Sequence, residues 1–404
     1  MAVGNISIAT VFYNLGQWVG IVGFINLSIL IISGDLSIFL NRFFGLDKVI
    51  KFQRKHSLFT AVFILLHPLF FIVSDFSYIK YLINPDFTLL PFTLGIISFY
   101  IFIVVMIASH IYKLISYKIW QYIHILTYFL FFFSLYHALN WGSHGNNPLL
   151  RIIYGFLFIM IIFSGIYRSI SKIRKINSSK FYLKKIKSET EDTFTIVLEG
   201  KERLRFKSGQ FCFLRLNKNN LHSRHPFTIS SSPYEENLSF TIKNTGRFTK
   251  TVLELKRGEE ILVDGPFGIF NLINSKKNIV FIAGGIGITP FFSMIKDNFQ
   301  RKEKQNILLL YGTKTKKDLI FKKNLDNIKE KWFKKVYVLT REPISSPQFE
   351  NTYIDKNLIK KYVKNVNDSL FYVCGPKSME DNIKKSLIEL GVNKKNIIIE
   401  DFFW

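Results

Sequence analysis

The sequence predicts a multidomain membrane protein: an all-α transmembrane bundle, then an antiparallel β-barrel, then an α/β domain with a parallel sheet. Three observations carry this. Residues 1–170 hold several long apolar runs rich in Phe, Ile and Leu. From about 180, short strands alternate with Gly and polar turns. From 278, apolar strands alternate with helical segments. The expected domains are 1–175, 178–272 and 273–404.

A spanning helix needs about 20 mostly apolar residues. Five runs qualify, near 7–33, 54–75, 88–112, 119–140 and 149–170. The N-terminus lacks a basic region and a small-residue cleavage site, so the first run reads as a retained helix. Short-loop Lys and Arg set the orientation. Arg42, Lys48, Lys51, Arg54 and Lys55 lie between spans one and two, Lys113 and Lys118 between three and four. Arg168, Lys172, Arg174 and Lys175 follow the last span. The other loops are poor in cations, so these loops and the C-terminal half face the cytoplasm.

The formal net charge of +25 could mark a nucleic-acid or anionic-lipid partner. No basic-aromatic module accompanies it, and the cations flank spans or decorate a Lys-rich domain, so no nucleic-acid partner is expected. The two cysteines, Cys212 and Cys374, form no disulfide framework and no CxxC knuckle. Without CxxCH, covalent c-type haem is excluded.

Six of the eight histidines precede residue 150. His67 and His137 sit well inside spans two and four, with His56 and His124 near the cytoplasmic starts of the same spans. Ionisable groups inside a bilayer are costly and usually functional. His124 and His137 are separated by a rise of about 19.5 Å, and His56 and His67 by about 16.5 Å, at 1.5 Å per residue. Matched by depth, His56 goes with His124 and His67 with His137, the arrangement for two stacked bis-imidazole haems. Packing is the plainer reading of one membrane histidine; four at matched depth argue against it, since each buried imidazole needs a partner.

The segments GLDKVIKFQRKHSLFTAVFILLHP (45–68) and YKIWQYIHILTYFLFFFSLYHAL (117–139) resemble the ferric reductase/NADPH oxidase transmembrane domain. The resemblance implies two b-type haems on paired histidines. His67, His124 and His137 match its motif positions. The fourth departs: Gln53 stands there, and His56 is the nearest substitute. Five spans are read here where that family commonly has six.

The strands FYLKKI, TFTIVLEG, QFCFLRL, LSFTIK and EEILVDG make the small antiparallel barrel. RHPFTISSSP (224–233) offers a strand on which Thr228 and Ser230 point one way, Phe227 and Ile229 the other. Its backbone and hydroxyls can hydrogen-bond an isoalloxazine edge. KNTGRFTK (243–250) opens a short helix whose N–H groups, with Thr249, could cap a pyrophosphate. A plain capped helix would look the same. DGPFG (264–268) then closes the barrel.

NIVFIAGGIGITPFFSMI (278–295) reads as strand, Gly-rich turn and helix. Gly284, Gly285 and Gly287 let backbone approach phosphate, with the next helix pointing its N-terminus at the ligand. Strands follow at 306–313, 334–342 and 369–376. Cys374 ends the last of these; a small buried apolar residue is its plain reading.

The order HPFTIS, GRFT, GPFG, GGIGITP, CGP and a final EDFFW resembles the ferredoxin–NADP⁺ reductase family, over about 178–404. By that resemblance His225, Pro226, Phe227, Thr228, Ile229 and Ser230 hold the flavin ring of FAD, and Gly246, Arg247, Phe248 and Thr249 its pyrophosphate. Gly284, Gly285, Gly287, Thr289 and Pro290, with Gly375 and Pro376, take the nicotinamide dinucleotide. Cys374 lies near the hydride path, and Phe402 stacks on the flavin, with Phe403 and Trp404 beyond it.

The expected function is NAD(P)H oxidation on the cytoplasmic side, with electrons passing through FAD and two b-type haems to an acceptor outside. Ferric iron, presented as a chelate, is the leading acceptor; oxygen and a periplasmic redox partner are the alternatives. Lys314, Lys316, Lys317 and Arg341, where a 2′-phosphate would be read, favour NADPH.

Overall fold

A computed structural model describes residues 7–111, 114–115, 117–176, 180–216, 224–343, 346 and 348–400. The chain divides into two compact units: Met1–Leu40 with Lys48–Arg174, and Asn41–Asp47 with Lys175–Trp404.

The first unit is helical. Its helices are α1 (Ile8–Asp35), α2 (Ser37–Phe44, partly in the second unit), α3 (Leu46–Ser74), α4 (Ile79–Ile83), α5 (Leu90–His110), α6 (Tyr117–Asn140) and α7 (Pro148–Ile176). Five of these, α1, α3, α5, α6 and α7, are long and apolar enough to cross a membrane. α1 starts cleanly because Ser7 accepts the Thr10 N–H at 3.2 Å. α3 begins eight residues earlier than the apolar run, so its first turns carry Lys48, Lys51, Arg54 and Lys55. Hydropathy marks the buried length of a helix, not where its hydrogen bonds begin. Leu58, Ile152 and Ile159 are 65–73% exposed, as expected of faces that lipid covers. Phe24, Phe131, Leu135, Tyr154, Leu157 and Ile161 pack inward.

The second unit carries two sheets. The antiparallel sheet contains β1 (Lys180–Ser188), β2 (Thr193–Gly200), β3 (Phe211–Arg215), β4 (His225–Thr228), β5 (Leu238–Lys243) and β6 (Glu260–Phe267), with α8 (Arg247–Leu253) before β6. Its order is β4-β3-β6-β1-β2-β5. The two edges meet at one bridge, Ile229↔Phe240, where Ser230 N–H donates to Ser239 O at 2.8 Å. The expected barrel is thus a curled sheet joined at a point instead of along a full ladder. Alternate residues such as Ile196, Leu198, Leu214, Ile229 and Phe240 fill its interior.

The parallel sheet contains β7 (Asn278–Gly284), β8 (Ile307–Thr313), β9 (Phe333–Leu339), β10 (Phe349–Glu350), β11 (Ser369–Cys374) and β12 (Ile397–Glu400). Between them run α9 (Ile288–Gln300), α10 (Lys322–Asn327), α11 (Lys356–Tyr362) and α12 (Lys377–Glu389). Its order is β10-β9-β8-β7-β11-β12. Every residue of β11 is buried, as a strand covered on both faces must be. Succession runs outward from β7 through β8 to β9, then returns to β11 on the other side. That reversal opens a crevice beyond the C-terminal ends of β7 and β11, where ligands of open α/β sheets bind.

Candidate functional site

In the helical unit, His67 on α3 and His137 on α6 face each other with ring centres 6.3 Å apart and planes at 80°. His67 Nδ1 donates to Gly16 O at 2.8 Å and His137 Nδ1 to Pro91 O at 3.0 Å. A carbonyl can only accept, so each Nδ1 carries the proton and each Nε2 keeps its lone pair. An imidazole nitrogen lies about 2 Å from a bound metal and the ring centre roughly 1 Å behind it, so two imidazoles on one iron have centres about 6 Å apart. The pair therefore fits bis-imidazole ligation. The cavity holding both rings is lined by Phe24, Ile64, Phe71, Phe99, Phe102 and Leu130, with Gln17, Ser143 and His144 among its polar walls. A flat apolar macrocycle suits such walls.

His56 and His124 are not brought together: among the described residues no ring contact joins them. His56 lies over Phe52, with centres 4.9 Å apart, and its Nε2 is buried without a hydrogen bond. His124 stacks on Trp120 at 3.9 Å and donates from Nδ1 to the Trp120 carbonyl of its own helix at 3.1 Å. Gln53 Nε2 donates to Ser33 Oγ at 3.5 Å. The inner pair expected from spacing does not fit a bis-imidazole haem here. Helical phase explains this, because spacing fixes depth along a helix and leaves azimuth open.

One polar cluster escaped the sequence reading. Asp35, 2% exposed, accepts from Arg168 Nη1 at 2.9 Å, from Tyr128 OH at 2.9 Å and from Ser164 Oγ at 3.1 Å. A lone carboxylate at the end of an apolar span was the available signal. Arg151 binds Gly145 O and the Asn146 side chain, so it is tied to its own loop.

In the second unit, β3 positions the HPFT strand: Leu214 pairs with His225 and Phe211 with Thr228. Phe227 and Ile229 pack toward the sheet's interior, as alternation required. Thr228 and Ser230 lie on the opposite face, and Ser230 Oγ is buried without a hydrogen bond. An orphaned buried hydroxyl is uncommon and suits the polar edge of a flavin. His225 stacks on Phe248 at 4.0 Å, which ties Pro226 and its strand to the GRFT turn. Burial holds the His225 imidazole below its ordinary pKa.

Thr249 behaves differently from expectation. Its hydroxyl accepts the N–H groups of Thr245 at 3.1 Å and Gly246 at 3.0 Å. It caps its own helix.

The residues expected to hold the nucleotide converge at the sheet's crevice. Ala283 pairs with Cys374, so the GGIG turn meets Cys374-Gly375-Pro376. Gly285 takes a left-handed φ of 53°. A Cβ on Gly287 would lie 2.2 Å from Cys374 O, and one on Gly284 2.8 Å from Pro376 Cδ. Thr289 and Pro290 are buried in the first turn of α9. Ser293 donates to Ser231 O at 2.6 Å, linking this helix to the flavin strand. Cys374 is fully buried; burial first, then the Glu400 and Glu380 carboxylates, push its thiol well above the usual value. Arg341 N–H donates to Lys314 O at 2.9 Å, which joins the two basic loops after β8 and β9. Phe402 lies outside the described residues, as do Phe403 and Trp404.

Fold and site together define a membrane-spanning oxidoreductase with FAD- and NAD(P)-binding domains. Residues 19–135 match the family "Ferric reductase like transmembrane component", 178–271 the "FAD-binding domain", and 281–385 the "Oxidoreductase NAD-binding domain". The three matches follow one another in the order of the fused ferric reductase-like proteins that the sequence motifs resemble. It is 30% identical over 164 residues to a component of the Na(+)-translocating NADH-quinone reductase of Histophilus somni (strain 129Pt), covering 39% of this chain. It is 32% identical over 167 residues to the corresponding component from Marinomonas sp. (strain MWYL1), again covering 39% of this chain. The chain spans about 40% of the length of these relatives. Among solved structures it resembles the flavohem-like FAD/NAD-binding domain of nitric oxide dioxygenase from Vibrio cholerae O1 biovar El Tor, with TM-score 0.50 and 20% identity, over 56% of this chain and 98% of that one. The cytochrome b5 reductase domain of Ulva prolifera nitrate reductase matches with TM-score 0.50 and 18% identity, over 56% and 98%. These likenesses concern fold.

Proposed function

We propose that the chain oxidises cytoplasmic NAD(P)H and delivers the electrons through b-type haem to ferric iron on the outer face. When bound, FAD takes a hydride and gives up electrons singly, and haem b passes them on one at a time. The chain's own residues position and insulate. Thr228 and Ser230 hold the flavin edge, while Phe227 and Ile229 anchor that strand in the sheet. Gly246, Arg247 and Phe248 receive the pyrophosphate. Gly284, Gly285 and Gly287 admit the dinucleotide backbone to the crevice beside Cys374. His67 and His137 hold the haem. The basic residues Arg42, Lys48, Lys51, Arg54 and Lys55 keep the FAD and NAD(P) domains on the cytoplasmic side. Arg341 and Lys314 to Lys317 favour NADPH, whose 2′-phosphate their cations would meet.

The observation that carries this reading is the facing pair His67–His137. A reduced-minus-oxidised spectrum with haem quantitation tests it. The expected result is one b-type haem per chain, held by His67 and His137. No haem sinks the reading; two haems would mean that His56 and His124 converge after all. In inverted vesicles, NADPH outside should reduce a ferric chelate trapped inside. Superoxide formation without ferrous iron would reassign the acceptor to oxygen.

A further inference from the structure

Neither α1 nor α5 carries a haem-ligating histidine, yet both are built around one. On α1, Gly16 O accepts the His67 Nδ1–H, and one turn later Gly20 lies under the ring: a Cβ there would sit 2.4 Å from Nδ1 and 2.5 Å from Cε1. On α5, Pro91 O accepts the His137 Nδ1–H, and one turn later Gly95 lies under that ring: a Cβ would sit 2.6 Å from Nδ1 and 2.8 Å from Cγ. The same device is used twice, a helix carbonyl at position i and a glycine at i+4, each serving a histidine from a neighbouring helix.

We propose that Gly20 and Gly95 are positioning residues for the haem ligands, and that each glycine and its carbonyl together fix the azimuth and tautomer of one imidazole. This rests on the haem reading above. Non-bonded carbon contacts settle near 3.5–4.0 Å, roughly 1 Å or more beyond the separations a methyl group would have here. The ring cannot back away cheaply. Moving it breaks the Nδ1–H···O=C bond, and no water replaces that bond inside a bilayer. A histidine freed from its carbonyl also loses the constraint that leaves Nε2 as the ligating nitrogen.

The device is absent at the inner histidines. Among the described glycines, none has His56 or His124 among the nearest atoms that a Cβ would meet, and His124 leans on its own helix instead. Gly34 and Gly155, also in membrane helices, have nothing within 4 Å and supply controls.

The test uses the full chain, with FAD per chain as the check on folding. Gly20→Ala and Gly95→Ala should each lower b-type haem per chain at least about tenfold, as loss of a ligand's outer support does. Residual haem should shift its low-spin ferric electron-paramagnetic-resonance signal. Gly34→Ala should match wild type. In a His67→Ala background, Gly20→Ala should add no loss of thermal stability, because the ring it would strike is gone. A Gly20→Ala protein with wild-type haem content and spectrum overturns the proposal. So does equal destabilisation with and without the His67 ring, which would make Gly20 a helix-packing residue. A wild-type chain without haem instead overturns the underlying reading, and the spectrum of the unmodified protein separates the two failures.

Discussion

The flavin–nicotinamide unit and the helical unit build their sites in opposite ways. In the former, each candidate cofactor contact is a contiguous run: a strand, a turn, a helix start. GGIGITP folds into its site because its own glycines and the buried strand before them dictate the turn. In the helical unit the site is assembled from Gly16, Gly20, His67, Pro91, Gly95 and His137, spread over four helices. Local sequence can specify a phosphate-binding turn. It cannot specify which two imidazoles will meet, because that depends on how helices rotate against one another.

The sharpest way to break this comparison is to remove a ligand. His67→Ala or His137→Ala should abolish the b-type spectrum and cut electron delivery across vesicle membranes by about 100-fold or more, if the proposed haem between them carries the electrons. Reduction of a soluble dye by NADPH and FAD should continue at the wild-type rate. If dye reduction falls equally, the two units do not work independently.

A smaller effect is expected at the nucleotide turn. Gly287→Val places side-chain atoms against Cys374 O, 2.2 Å from the Cβ position. Overpacking of this kind costs about 1–3 kcal/mol. Thermal unfolding should register it, together with a raised KM for NADPH and unchanged haem content. Unchanged KM would remove the GGIG turn from the nucleotide site.

Arg341→Ala should lower kcat/KM for NADPH by about tenfold, the scale of one charge-assisted contact, and leave NADH nearly unaffected. An equal loss with both nucleotides would deny that Arg341 reads the 2′-phosphate.

His56→Ala and His124→Ala should leave haem per chain unchanged. Loss of haem from either variant would restore an inner site. Finally, Cys374 should resist alkylation in the native protein. Burial raises its pKa, so the reactive thiolate stays scarce as pH rises through the usual thiol range. Rapid labelling at pH 8 would place Cys374 on an open surface.

Much of the soluble site was legible because its residues report on their own backbone. Alternation put Thr228 and Ser230 on one face, and Ser230 does carry the orphaned hydroxyl. Thr249 was harder: its residue type suits both phosphate and helix capping, and only the loop's conformation shows that it caps. In the helical unit, hydropathy located the five apolar helices. Depth matching paired His67 with His137 and His56 with His124; the structure brings only the first two rings into contact, since both pairs satisfy depth and azimuth separates them.

The sequence alone determined what is local and one-dimensional: apolar length, strand alternation, glycine-bearing turns and the ordered series of motifs. Tertiary structure decided which side chains converge. The 6.3 Å approach of two imidazoles and the glycines beneath them are relations between helices. No short run of residues encodes them, because in an apolar medium helix rotation is set by close packing and internal hydrogen bonds and not by an apolar stripe turned from water.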